Sequence, residues 1–355
     1  MTTIPRLVGR MGLVLLAGLL VLPGCSSIGP GTVARDRFDY SRSIAESWKR
    51  QMLLNIVKLR YLDPPVYVDV GQIVAGYSLE TDVSVGGTIA SAGGNNELAL
   101  GAGARYTDRP TITYTPLTGN RFVRSAVMPL PPDAVFFLIQ AGWPADGVLF
   151  SAVASLNGLK NQEATVAGVA QASPEFLRVL ELLREIQVSG AVAMRIEQDT
   201  HKQETTILSF QRKGITPETL DKIAELRRLL QLDPQAHDFR LVFAATPAND
   251  RELAVITRSW LQIMATMASY VEVPPEEIAE GRATPGLPVA RPLRIGCSRK
   301  LPADAFSAVA YRDHWFWIDD RDLKTKRAFS LLMMLSTLSE SGQRESLPII
   351  TIPAQ

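Results

Sequence analysis

The residues best able to do chemistry in this sequence are Asp319, Asp320 and Asp322, gathered around Arg321 with His314 a few residues upstream. Carboxylates this close can hold a hard cation or share acid–base work with an imidazole. Their setting favours a plainer role. The cluster stands where an aromatic, strand-like run gives way to a helical pattern. There an Asp side chain accepts hydrogen bonds from the free N–H groups of the first turn and complements the helix dipole. No further Asp, Glu or Asn follows in the manner of an EF-hand loop. The three carboxylates are therefore read first as caps and only weakly as metal ligands.

Other constellations offer less. His201, His237 and His314 lie more than 35 residues apart, with no HExxH pair and no cysteines at metal spacing, which argues against a zinc site. The sequence has no G-x-S-x-G elbow and no glycine-rich loop followed by Lys-Ser/Thr. Gly101-Ala102-Gly103 is a lone fragment without phosphate-binding weight. Cys297 ends the strand-like run Leu293-Arg294-Ile295-Gly296-Cys297 and reads as a small core residue rather than a reactive thiol. No catalytic residue and no cofactor are assigned. With 37 Lys and Arg against 36 Asp and Glu, the chain carries a formal charge of +1, which gives no support for a nucleic-acid partner.

The second cysteine, Cys25, stands in a different context. Arg6 and Arg10 precede an apolar run from Met11 to Leu22, long enough for a secretory leader and too short to span a bilayer, which needs about 20 apolar residues. Leu22-Pro23-Gly24-Cys25 then resembles the lipobox of bacterial lipoproteins, with Pro23 departing mildly from the usual Ala, Ser or Thr. The resemblance implies cleavage before Cys25, lipidation of its thiol and acylation of the new N-terminus, a multi-chain anchor that holds a protein on a membrane. Ser26 stands where an Asp would resemble an inner-membrane retention signal, so the expected location is the outer membrane, periplasmic side. Removal of residues 1–24 takes away both leader arginines and leaves 331 residues (355 less 24), enough for two ordinary domains.

The elements that must position these residues follow from pattern. Residues 26–36 are small and polar and suit a tether from the lipidated Cys25. Residues 38–61 read as a helix, with Ile44, Trp48, Met52, Ile56 and Leu59 on one face, Asp39 or Ser41 as cap, and Asp63-Pro64-Pro65 as its stop. The polar face carries Arg42, Lys49, Arg50, Lys58 and Arg60. It could lie on anionic headgroups, but the plainer reading packs the apolar stripe on the domain and turns the charges to water. The stretches Ser47-Trp48-Lys49-Arg50-Gln51-Met52-Leu53-Leu54-Asn55-Ile56-Val57-Lys58-Leu59-Arg60-Tyr61 and Trp315-Phe316-Trp317-Ile318-Asp319-Asp320-Arg321-Asp322-Leu323 resemble segments of an uncharacterised proteobacterial lipoprotein family. That resemblance implies a lipoprotein and no activity.

Residues 66–128 read as β structure, within which 78–106 forms a long hairpin around Ser91-Ala92-Gly93-Gly94-Asn95-Asn96. Leu79, Val83, Val85, Leu98, Leu100 and Tyr106 fall on its apolar parity, and small or polar residues on the other. Helices are expected at 131–140 and 144–157, with Pro144 as a first helical residue, then a boundary in the Ala/Ser-rich stretch 164–173 and a helix at 174–187. Beyond it, strands are expected at 191–197, 205–212, 239–244, 293–297, 308–318 and 347–352. Helices are expected at 217–230, 250–271 (with an Asn249/Glu252 capping box) and 321–338, and a proline-rich loop at 272–292. The fold class is α+β: an N-terminal helix with a β-hairpin-rich domain over 37–172, then a layered domain of mixed strands and helices over 173–355.

These readings point to a lipid-anchored, non-catalytic envelope protein that binds other envelope proteins or assists assembly. Two alternatives stand beside it. One is a lipid-anchored hydrolase using Asp319, Asp320 or Asp322 with His314. The other is a subunit of an oligomeric outer-membrane pore, built from the 78–106 hairpin. Its strands reach the 9–11 residues that a membrane strand needs, though the Gly and Ala content of the apolar face favours soluble edge strands.

Overall fold

The computed structural model describes residues 33–74, 77–88, 97–109, 111–165, 168–198, 204–211, 214–283 and 293–339. The leader, Cys25, most of the tether, the hairpin turn at 91–96, His201, the end of the proline-rich loop and the strand expected at 347–352 lie outside the described residues. The architecture is α+β: an N-terminal helix, a strand-rich region, then layered strands and helices. The chain divides into two compact units, the smaller taking in residues 1–48 and 68–116 and the larger residues 49–67 and 117–355.

Helix α1 (Val33–Arg60) starts earlier than its apolar pattern suggested, so Asp39 and Ser41 lie inside it rather than capping it. Its end, from Lys49 onward, belongs to the larger unit, where Met52, Leu53, Ile56 and Val57 are buried. Arg60, expected on the wet face, is buried as well, because it follows Ile56 by four residues and so shares the apolar stripe. The helix stops at Arg60, and Leu62 takes a left-handed backbone with φ 61° ahead of the two prolines.

In the smaller unit, β1 (Val68–Val74) pairs antiparallel with β4 (Thr111–Pro116) across a register shift between Val70 and Gln72. Between them in sequence, β2 (Tyr77–Thr88) and β3 (Glu97–Asp108) form the expected hairpin, in unbroken register from Tyr77 opposite Asp108 to Thr88 opposite Glu97. Strand structure ends at Pro116, short of the expected residue 128. A helical turn α2 (Gly119–Phe122) and a π-helical segment (Val123–Val127) follow, since a short apolar run such as Phe122-Val123 does not distinguish strand from helix by period.

The larger unit is built on a six-stranded sheet of order β6-β5-β12-β11-β10-β9, comprising β5 (Val153–Leu156), β6 (Leu159–Lys160), β9 (Val192–Gln198), β10 (Glu204–Phe210), β11 (Asp238–Val242) and β12 (Glu252–Thr257). All neighbours run antiparallel except β11 and β12. The break expected at 172/173 falls within this unit, and strands from both sides of it share the sheet; the Ala/Ser-rich stretch holds the small pair β7 (Glu163–Thr165) and β8 (Gly168–Ala170). Helix α3 (Pro132–Gln140) packs on β9, β11 and β12, while α4 (Ala145–Ala152), α5 (Pro174–Val188) and α6 (Pro217–Leu229) pack in succession.

Three expected elements are each divided in two. The helix predicted over 144–157 has Pro144 as its N-cap and ends at Ala152. The chain continues as β5 and turns at Asn157 (φ 45°) and Gly158 (φ 83°) into β6. The helix predicted over 250–271 is strand β12 followed by α7 (Trp260–Ala268), whose capping box is Ser259 with Gln262. The single strand predicted over 308–318 is a hairpin of β14 (Ala305–Tyr311) and β15 (His314–Asp319), turning at Arg312. A short helix α8 (Pro275–Ala279) interrupts the proline-rich loop, and β13 (Gly296–Ser298) completes a second sheet of order β13-β15-β14.

The hydrophobic core lies in the larger unit, around Phe136, Phe176, Phe239, Tyr270, Phe316 and Phe329. The Met and Trp stripe of 260–267 belongs to it, with Trp260, Met264 and Met267 buried.

Candidate functional site

The acidic cluster sits where β15 hands over to α9 (Leu323–Ser339), and each carboxylate has structural work there. Asp322 is the N-cap: its carboxylate accepts from the Thr325 N–H at 3.0 Å and from the Thr325 hydroxyl at 2.6 Å. Burial works against its ionisation, but bonds from Thr325 and Lys324 outweigh that effect and hold the carboxyl below the usual range. The buried Thr325 hydroxyl accepts in turn from the Arg294 N–H at 2.9 Å, tying the helix start to the segment before β13. Asp319 accepts from the Arg321 N–H at 2.8 Å, and Asp320 pairs with Lys326 at 2.6 Å. Among the described residues, no group of three or more His, Cys, Asp or Glu is placed to hold a metal ion.

His314 does not join that cluster; it turns to a different set of polar residues. The Tyr61 hydroxyl, just past the end of α1, donates to Glu277 of α8 at 2.5 Å, and His314 Nδ1 lies 4.0 Å from the other Glu277 oxygen, with no hydrogen-bond partner among the described residues. Glu277 is 8% exposed, and a carboxylate that buried needs such donors. On β13, Cys297 stands opposite Phe316 of β15, the residue whose ring meets Tyr61 edge-on at 6.1 Å. Burial and the charges of Glu277, Glu272 and Glu276 push the Cys297 thiol up to about 11, so at neutral pH it is not a thiolate nucleophile. The Tyr61 phenol is pushed up as well, by burial first and then by Glu277.

Aromatic and cationic groups close over this set. Tyr61 packs against Tyr311 at 5.3 Å, the Arg312 guanidinium lies 4.9 Å above the Tyr61 ring, and the Tyr311 hydroxyl donates to Asp63. The arrangement fastens the end of α1 and α8 to the β14–β15 hairpin. Of the sequence-predicted candidates the structure brings only His314 here. Tyr61 and Glu277 stand in no motif, and no spacing in the sequence joins positions 216 residues apart.

Two further features bear on chemistry. Arg258 is 4% exposed, and its guanidinium donates to the carbonyls of Phe150, Ser151 and Gln162; burial pushes its pKa down to about 10. It clamps the last turn of α4 to the link between β6 and β7. A cleft of about 290 Å³ opens beside the first turn of α3, with Asp133 and Arg240 among its walls and the half-exposed Ile196 and Phe243 at its lips.

No protein-family model matches the chain, and neither a curated protein nor a solved structure does.

Proposed function

We propose that this chain is a lipid-anchored, non-catalytic component of a bacterial cell envelope, attached to the outer membrane through Cys25, with its folded body facing the periplasm and binding other envelope proteins. The observation that carries the reading is the Leu22-Pro23-Gly24-Cys25 segment, placed behind two arginines and an apolar run. The body is consistent with a binding role. Asp319, Asp320 and Asp322 hold a helix start, and the Cys297 thiol is kept protonated.

Cells fed a clickable palmitate analogue test the anchor. The Cys25 peptide should carry acyl chains by mass spectrometry, and Cys25→Ser should abolish the labelling. An unacylated Cys25 in membrane-bound protein removes the reading. Crosslinking in cells followed by mass spectrometry should then recover envelope proteins as the bound partners.

A further inference from the structure

The smaller unit poses a physical problem. Among its residues with described side chains none is fully buried, and Ile112 and Tyr114 of β4 are 38% and 61% exposed. Yet β2 and β3 each run for 12 residues, about twice the usual strand length. A two-stranded hairpin is marginal in water by itself, and long edges are ordinarily blunted with proline, lysine or a bulge. Neither strand contains proline or lysine, and their register has no shift, unlike that of β1 with β4.

The register also sorts the residues by face. Leu79, Val83 and Val85 stand opposite Tyr106, Ala102 and Leu100 on one parity. The charged Glu80, Asp82, Glu97 and Arg105 all fall on the other, where Glu80, Asp82 and Arg105 are exposed and a Cβ added at Gly103 would meet open space. One charge, Asp108, departs from this, and it lies at the open end opposite Tyr77. Twelve residues extend about 40 Å, and a strand of that length tilted by about 45° covers the roughly 25 Å apolar band of an outer membrane.

We propose that the β2–β3 hairpin joins edge to edge with the hairpins of further copies of this chain, closing a β-barrel in the membrane whose apolar parity faces lipid and whose Glu80, Asp82 and Arg105 line the lumen. Closure is required because an open strand edge in lipid leaves backbone groups unsatisfied. With two strands from each copy, the smallest barrels of about eight strands take roughly four copies or more. Charge sets the order around the ring. When β3 of one copy lies beside β2 of the next, Arg105 lies beside a strand bearing Glu80 and Asp82, whereas a β2–β2 seam sets acidic rows against each other. The contact is then head-to-tail, the kind that forms rings.

The proposal rests on the envelope reading for its choice of bilayer, and one experiment on the full chain separates the two. Protein extracted in mild detergent is weighed by native mass spectrometry and reconstituted in phosphatidylethanolamine–phosphatidylglycerol planar bilayers, with acylation of Cys25 measured on the same sample. The expected result is an oligomer of about four copies or more with stepwise conductance. Val83→Arg should lower the conductance roughly tenfold or more by placing a charge on the lipid face, with the thermal unfolding of the larger unit unchanged. Arg105→Glu should keep the channel and shift its selectivity toward cations. A monomer, an oligomer that passes no current, or full conductance in Val83→Arg overturns the barrel even if Cys25 is acylated. Conductance with an unacylated Cys25 supports the barrel and removes the anchor instead.

Discussion

Asp322 shows how much one side chain can fix at a helix start. It takes both the N–H and the hydroxyl of Thr325, and Thr325 passes the connection on to Arg294. Asp322→Ala should lower unfolding free energy by about 1 kcal/mol, the usual cost of a lost N-cap, measurable by denaturant titration. Because its folded carboxyl titrates below the ordinary range, the stability it adds is fully present above the unfolded-state pKa near 4 and is lost as pH falls through the depressed folded value. The variant should therefore differ from the parent by a constant amount between pH 5 and 7 and converge with it in stronger acid. Tyr61→Phe addresses the buried carboxylate. Glu277 would keep its burial and lose its donor, so the loss should reach roughly 1–3 kcal/mol, while Tyr61→Phe combined with Glu277→Leu should cost less than the sum of the two single changes. Strict additivity in that cycle would deny the coupling between them.

At the scale of elements, Asn157 is the position where local chemistry outweighs period. Its side chain donates to the Leu230 carbonyl at 2.7 Å and accepts from the Ala254 N–H at 2.7 Å, and with φ 45° it holds the left-handed turn between β5 and β6. Asn157→Ala removes both bonds and leaves the strained backbone, for an expected loss of about 2–3 kcal/mol and a lower unfolding midpoint in thermal scans. Asn-Gly is a hairpin signal in any sequence, yet the helical spacing before it masks it here, because α4 runs directly into a buried strand. The same masking occurs at β12, where Leu253, Ala254 and Val255 are all buried, so the strand has no alternation to show and its apolar residues fall in step with α7 behind it. What was legible was local. The β2–β3 pairing, the helices at 174 and 217 and the capping role of the acidic cluster each depend on residues near in sequence. The Tyr61–Glu277–His314 set depends on three elements meeting, and no short-range pattern encodes that.

The whole molecule offers a sharper test of how its units depend on one another. The Leu117 N–H donates to the Tyr67 carbonyl at 2.9 Å, so the chain leaves the larger unit and returns to it at neighbouring points. Everything from Val68 to Pro116 is an insertion between two hydrogen-bonded residues, and such an insertion adds little loop-closure cost to the unit that holds it. The core of the larger unit draws no buried residue from that insertion among those described. A chain in which residues 68–116 are replaced by two glycines should fold, keep the Tyr61–Glu277 contact and melt within about 4 °C of the parent, a difference of roughly 1 kcal/mol for a body of this size. It should also be a monomer that passes no current in a bilayer, since the strands assigned to the barrel are gone. Loss of a cooperative transition on this excision would mean that the smaller unit holds the larger one together, and an oligomer that survives it would have to form through a surface other than the hairpin.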